Sequence, residues 1–256
     1  LESLWEKEQQ LEVGLTLADL FEKRQNYPKA LETLQLTLLE HPKSQYTLLQ
    51  LIRFFDKQDK PKEVLDLLKV LYKQSPQDPA ILCFLAKAHF EKNLIPQALF
   101  FLVNAVEYGD TSIETISLMV QCYIFQGQFI QAQEVFNILE NQEPFHLTTL
   151  ALGGNLAFHR GNFAKSAEFF ELFLSLNPEN PIILSSYSAA LLELGKIPES
   201  IKLGLKAFEQ LPKHPEIAFN TSLLLLLEKK WKMGWKLYEK RLEFWPGMPT
   251  LSKEIP

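Results

Sequence analysis

Apolar side chains recur along the chain at intervals of three and four, as in Leu17, Leu20 and Phe21 and then Ala30, Leu31, Leu34 and Leu38. That spacing gathers them on one face of an α-helix, and short polar breaks separate one such stretch from the next. The breaks are periodic. Pro42, Pro76, Pro144, Pro178, Pro212 and Pro246 are separated by 34 or 68 residues, and Gly109-Asp110 stands in the one gap in the series. With these prolines at position 32, seven windows run 11–44, 45–78, 79–112, 113–146, 147–180, 181–214 and 215–248 and cover 238 of the 256 residues. Position 15 holds Gly127, Gly161 and Gly195, and in the other windows the polar residues Gln25, Asp59, Asn93 and Lys229. A left-handed turn that ends a helix is expected there. Pro28, Pro96 and Pro198 at position 18, with Pro61 one place earlier, mark the first turn of a second helix, where a missing N–H costs nothing. Each window therefore predicts two amphipathic helices.

The columns also predict how the helices pack. Position 20 holds Ala30, Val64, Ala98, Ala132, Ser166, Ser200 and Gly234, small or β-branched throughout, so two helices can approach closely at that level. Position 24 holds Leu34, Leu68, Leu102, Phe136, Phe170, Gly204 and Tyr238, large in six of seven, and fills the space beside the small column. Ala132 is thus expected at a helix contact and its neighbour Gln133 on the surface. A helix pair of this size cannot bury both its faces alone and must stack on its neighbours, which predicts an all-α solenoid.

These columns resemble the tetratricopeptide repeat (TPR): Leu48, Leu82, Ile116, Leu150 and Leu184 at position 4; Ala18, Ala86, Gly154, Ser188 and Ser222 at position 8; and Phe21, Phe55 and Tyr123 at position 11. The resemblance implies a right-handed superhelical solenoid of seven helix-turn-helix units over 11–248. Residues 1–10 would be an N-terminal helical extension and 249–256 a tail, the start of a truncated linker or next domain. Departures are Gly204 without a position-24 side chain, Arg241 at the small position 27, and Ile52 and Val120 at position 8. In this family the first helix of each repeat lines the concave face, with positions 2, 5, 9, 12 and 13 pointing into it. The partner-binding residues so implied are Asp19, Glu22, Arg53, Asp56, Lys87, Phe90, Gln121, Phe125, Asn155 and Phe158. They grade from charged at the N-terminal end to apolar further on, which would suit an acidic or mixed-charge peptide. Two bland alternatives stand beside this: Phe90 and Phe158 as packing between repeats, and Arg53 and Lys87 as ordinary solvated surface. The chaperone-gripping carboxylate clamp and the asparagine ladder known in some relatives are absent from the matching columns.

Trp231, Gly234, Trp235, Tyr238, Glu239 and Arg241 spell W-x-x-G-W-x-x-Y-E-x-R. The run is similar to the last repeat of bacterial TPR proteins that continue into a glycosyltransferase-like domain. An aromatic pair closing a terminal repeat is the plainer alternative. Five leucines from Leu223 to Leu227 make one helix apolar all round, and such a helix is expected to be covered. Leu223, Leu226, Leu227, Trp231 and Trp235 are accordingly expected to form an interdomain or dimer contact.

Composition narrows the function. With 26 basic and 31 acidic residues the formal charge is −5, which argues against a nucleic-acid partner. No apolar stretch approaches the roughly 18 to 20 residues a membrane span needs, and LESLWEKEQQ lacks the apolar core of a secretory signal. Cys83 and Cys122 form no disulfide framework, so a reducing, cytoplasmic setting is expected. The five histidines His41, His89, His146, His159 and His214 are scattered, and His89 reads as a core residue. No phosphate-binding, dinucleotide or nucleophile-elbow motif occurs. No catalytic residue, metal or cofactor is expected. The leading expectation is a non-catalytic scaffold that binds a peptide or partner protein on the concave face. Alternatives are the substrate-recruiting arm of a bacterial glycosyltransferase whose catalytic domain lies beyond Pro256, and a structural protein that self-associates through its C-terminal repeat.

Overall fold

The computed structural model describes residues 2–41 and 44–244. Pro42, Pro246 and the tail 249–256 lie outside the described residues. The chain divides into two compact units, Leu1–Leu118 and Met119–Pro256. The first contains α1 (Glu2–Lys23), α2 (Tyr27–Glu40), α3 (Gln45–Lys57), α4 (Pro61–Gln74), α5 (Pro79–Glu91) and α6 (Ile95–Glu107), and the division falls within α7 (Ile113–Phe125). The second contains α8 (Phe129–Gln142), α9 (Leu147–His159), α10 (Phe163–Leu176), α11 (Pro181–Glu193), α12 (Ile197–Gln210), α13 (Pro215–Leu227), α14 (Trp231–Tyr238) and α15 (Arg241–Phe244). Among the described residues every regular element is a helix. From α3 onward each first helix fills positions 1–13 of its window, and each second helix starts at position 17. At the N-terminus α1 begins at Glu2, so the residues before window 1 and its first helix are one uninterrupted helix.

Local chemistry explains these boundaries. All seven residues at position 15 are left-handed: Gln25, Asp59, Asn93 and Lys229 at φ 53–60°, and Gly127, Gly161 and Gly195 at φ 70–75°. Each reverses the chain between the two helices of its pair. First helices are capped by side chains that accept from free N–H groups. The Asp78 carboxylate accepts from the amides of Ala80 (2.9 Å) and Ile81 (3.2 Å), Asn180 from those of Ile182 and Ile183 (both 3.1 Å), and Ser44 from that of Thr47 (3.2 Å).

The small and large columns form the core. Ala30, Val64, Ala98, Ala132, Ser166, Ser200 and Gly234 at position 20 are all buried. Beside them Leu68, Leu102 and Phe170 have no exposed surface and Phe136 has 1%. Gly204, which lacks the position-24 side chain, is compensated within its own unit: Leu224 of α13 occupies the place where a Cβ would stand. Gly154 is needed for a similar reason, because a methyl group there would run into the Phe170 ring. At the close approach of α11 and α12, Ser188 and Ser200 exchange hydrogen bonds. Each hydroxyl donates to the other residue's carbonyl oxygen at 2.7 Å. Ile52 and Val120, the enlarged position-8 residues, are both fully buried.

Two expectations change. Gln133 is no free surface residue: it is half-buried, its amide donates to Asn137 Oδ1 at 2.8 Å, and its carbonyl accepts from Arg160 at 2.5 Å. The leucine run is covered on one side only. Leu224 and Leu225 are buried, Leu223 and Leu226 are half-buried, and Leu227 is 54% exposed.

Candidate interaction surface

In the first unit the charges expected to meet a ligand mostly meet one another. Asp19 pairs with Lys23 along α1 at 2.7 Å. Glu22 at position 12 reaches Lys57 at position 13 of the next repeat (2.8 Å), and Asp56 at position 12 reaches Lys87 at position 9 of the one after (2.5 Å). The result is a ladder of partly exposed ion pairs running from first helix to first helix, each worth about 0–1 kcal/mol. Arg53, exposed and one turn from Asp56, has no ion pair among the described residues. Arg53 and Lys87 border a cleft of about 830 Å³ whose walls include Cys83, Phe84, Tyr108 and Glu114. Burial pushes the Cys83 thiol above its ordinary pKa, against an opposing hydrogen bond with Thr115, so it stays a thiol and a poor nucleophile. Phe90 is half-buried and lies outside this cleft.

In the second unit a smaller pocket, about 190 Å³, opens between the first helices α9, α11 and α13 over Phe170 of α10. It brings together two expected residues, Asn155 and Phe158, with His159, Glu216 and Asn220. Phe158 stands edge-on to Phe163 (centroids 5.3 Å) and to His159 (6.1 Å), and His159 stacks on Phe129 with its plane tilted by 12°. Phe158 is therefore both packing and pocket wall. Burial lowers the His159 pKa below its ordinary value and raises that of the Glu216 carboxyl, which His214 only partly offsets. The Asn220 amide donates to Ser185 Oγ at 3.1 Å. Gln121 and Phe125, both exposed, do not line this pocket. Glu216 and His159 stand at positions 2 and 13, columns already implicated by the repeat pattern. Reading positions 9 and 12 residue by residue passes them over.

Solved structures share the helical-repeat fold. A tetratricopeptide repeat protein from Parabacteroides merdae superposes with a TM-score of 0.71 over 96% of this chain and 95% of its own, at 16% sequence identity. A chain of the APC/C hetero-tetramer Cut9–Hcn1 gives 0.76 over 90% of this chain and 45% of its own, at 14% identity. The fold is that of the tetratricopeptide repeat. In sequence, 54 residues are 37% identical to the TPR repeat-containing thioredoxin TTL4 of Arabidopsis thaliana, a stretch that is 21% of this chain and 8% of that protein. No protein-family model matches the chain.

The last TPR pair shows what its aromatic motif does within the fold. Gly234 lets α14 close on Leu226, since a Cβ there would stand 2.7 Å from the leucine's Cδ2. Tyr238 packs edge-on to Trp235 (5.5 Å) and against Phe219 (5.6 Å). Arg241, only 3% exposed, lies over the Tyr238 ring at 4.5 Å and donates to the Tyr238 carbonyl (3.2 Å) and to Glu239 (3.0 Å). Arg241 at a small-residue position is thus accommodated by stacking. Trp231 and Trp235 are left 54% and 49% exposed, and Leu227 is exposed as well.

Buried Cys122 has its thiol pushed up to about 12 by desolvation, as suits a packing residue. His89 packs against Phe101 at 5.1 Å with Nδ1 2.7 Å from the Leu85 carbonyl oxygen. Among the described residues no three His, Cys, Asp or Glu side chains converge as a metal site requires, and no helix is long and apolar enough to cross a membrane.

Proposed function

We propose that this chain is a non-catalytic interaction scaffold that captures a peptide or partner protein on the first-helix faces of its repeats. The observation that carries the reading is that openings in both units are lined by side chains of those helices. Arg53 and Lys87 border the larger, and Asn155 and Phe158 border the smaller. Walls made of packed helices are preformed, so a ligand meets them at little ordering cost. The test is binding of a random peptide library to the whole chain. Arg53→Glu and Lys87→Glu should each weaken the selected peptides by about tenfold, near 1.4 kcal/mol. Lys206→Glu, which disturbs only a surface pair with Glu179, should not. Unchanged binding in both cleft variants would remove the first-unit cleft from the reading.

A second reading is favoured by Leu227, Trp231 and Trp235, large apolar side chains left exposed on the last pair, the two tryptophans one turn apart on one face of α14. Under it, copies or another domain meet at this face. Leu227→Lys is the informative change, because half-buried Leu226 also supports Gly234. A mass in solution that rises with concentration, and no longer does so in Leu227→Lys, is the expected outcome.

A further inference from the structure

We propose that the second-unit pocket is a subsite for one basic side chain, lysine or arginine, of a partner polypeptide. The inference rests on the scaffold reading above and names the chemistry that the scaffold selects. The pocket is built on four helices of one unit, with Phe170, fully buried, as its floor. Its volume of about 190 Å³ suits a single long side chain and is too small for a helix or a folded loop.

The lining sets the sign of the guest. Glu216 is the one acidic side chain in the wall, it is half-buried, and among the described residues it has no ion pair. A carboxylate withdrawn from water without a cation is costly, and a cation delivered into the same space relieves that cost. His159 in the wall is held towards its neutral form by burial, and His214, two residues before Glu216, offsets only part of the cost of burying the carboxyl, so neither supplies the full counter-charge. Asn220 spends an amide hydrogen on Ser185, and its carbonyl oxygen is left to accept, as is that of Asn155. These amide oxygens and the carboxylate are acceptors that one cationic head can engage together. Phe158 offers an aromatic surface to the apolar stem, the arrangement in which lysine and arginine bury methylenes while the charged head finds oxygen. An acidic or purely aliphatic guest would leave Glu216 unpaired in a drier site than before.

The test uses the full chain and pools of short peptides, random except for one central residue fixed as Lys, Arg, Gln, Met or Glu. Lys and Arg pools are expected to bind at least about tenfold tighter than the Gln, Met and Glu pools. Glu216→Gln should bring all five within about twofold, with circular dichroism confirming an unchanged fold. Lys206→Glu, outside both openings, should leave the basic preference intact. As a direct readout, n-butylammonium should shift the Asn220 and Asn155 side-chain amide resonances of the wild-type chain, and n-butanol should not. Pools that bind without basic preference, or a preference that survives Glu216→Gln, would overturn the subsite and leave the scaffold reading standing. If no pool binds wild type at about 1 mM, the scaffold reading and the subsite both fail.

Discussion

Seven residues at one column share a left-handed backbone, yet only three of them are glycine. A side chain in that conformation costs about 1 kcal/mol or more, least for asparagine and most for residues such as Lys229. Lys229→Gly should therefore raise stability by about 0.5–1 kcal/mol in urea melts, and Asn93→Gly by less. The turn column is legible from three glycines and an asparagine alone. The serines at position 20 are not. Ser200 returns the hydrogen bond it receives from Ser188, whereas the Ser166 hydroxyl is buried with no partner, its repeat carrying Gly154 at position 8. Ser166→Ala should be neutral or stabilising by up to about 1 kcal/mol, and Ser200→Ala should cost about 0.5–1.5 kcal/mol. Opposite signs in paired thermal melts are the expected result. One column and one residue type therefore have two energetic meanings, which depend on what the facing helix carries at position 8.

Among elements, the period fixes where helices begin and which column touches which, because proline and left-handed turns act locally and packing repeats with them. Ala132, with no exposed surface, tests the contact directly. Ala132→Leu should destabilise by about 1–3 kcal/mol through overpacking, while Gln131→Leu, one residue away and exposed, should stay within about 0.5 kcal/mol. Gln133 would be a poor control because Arg160 and Asn137 hold it. Such cross-helix bonds join residues 27 positions apart and leave no trace in a column-by-column reading. The same holds for Leu224, whose place in the gap above Gly204 depends on a neighbouring repeat.

For the molecule as a whole, half of the candidate surface is legible in sequence. Arg53 with Lys87, and Asn155 with Phe158, do border openings, but Glu216, although in a groove column, is picked out only when three first helices are brought side by side. Its acid–base behaviour has a global readout. Burial raises the Glu216 carboxyl above its ordinary 4.5, so the folded chain holds that proton more tightly than the unfolded chain and loses stability as pH climbs from about 4.5 through the folded value. His159 acts in the opposite sense: its folded pKa lies below 6.5, so its contribution is present above 6.5 and is lost as pH falls below it. Glu216→Gln removes the first effect alone. The variant should melt higher than wild type at pH 7, and the gap should close as pH approaches 4.

The ladder Glu22–Lys57 and Asp56–Lys87 gives the first unit a different character. A ligand carboxylate that seeks Lys87 finds the position taken by a tethered competitor, present at the high effective concentration that covalent connection confers. Exchange of one carboxylate for another is nearly isoenergetic, so a lone acidic side chain gains little by entering. Under the scaffold reading, the face would act as a threshold, passing over single charges and answering only to a partner that also engages the guanidinium of Arg53 or the apolar wall of Phe84.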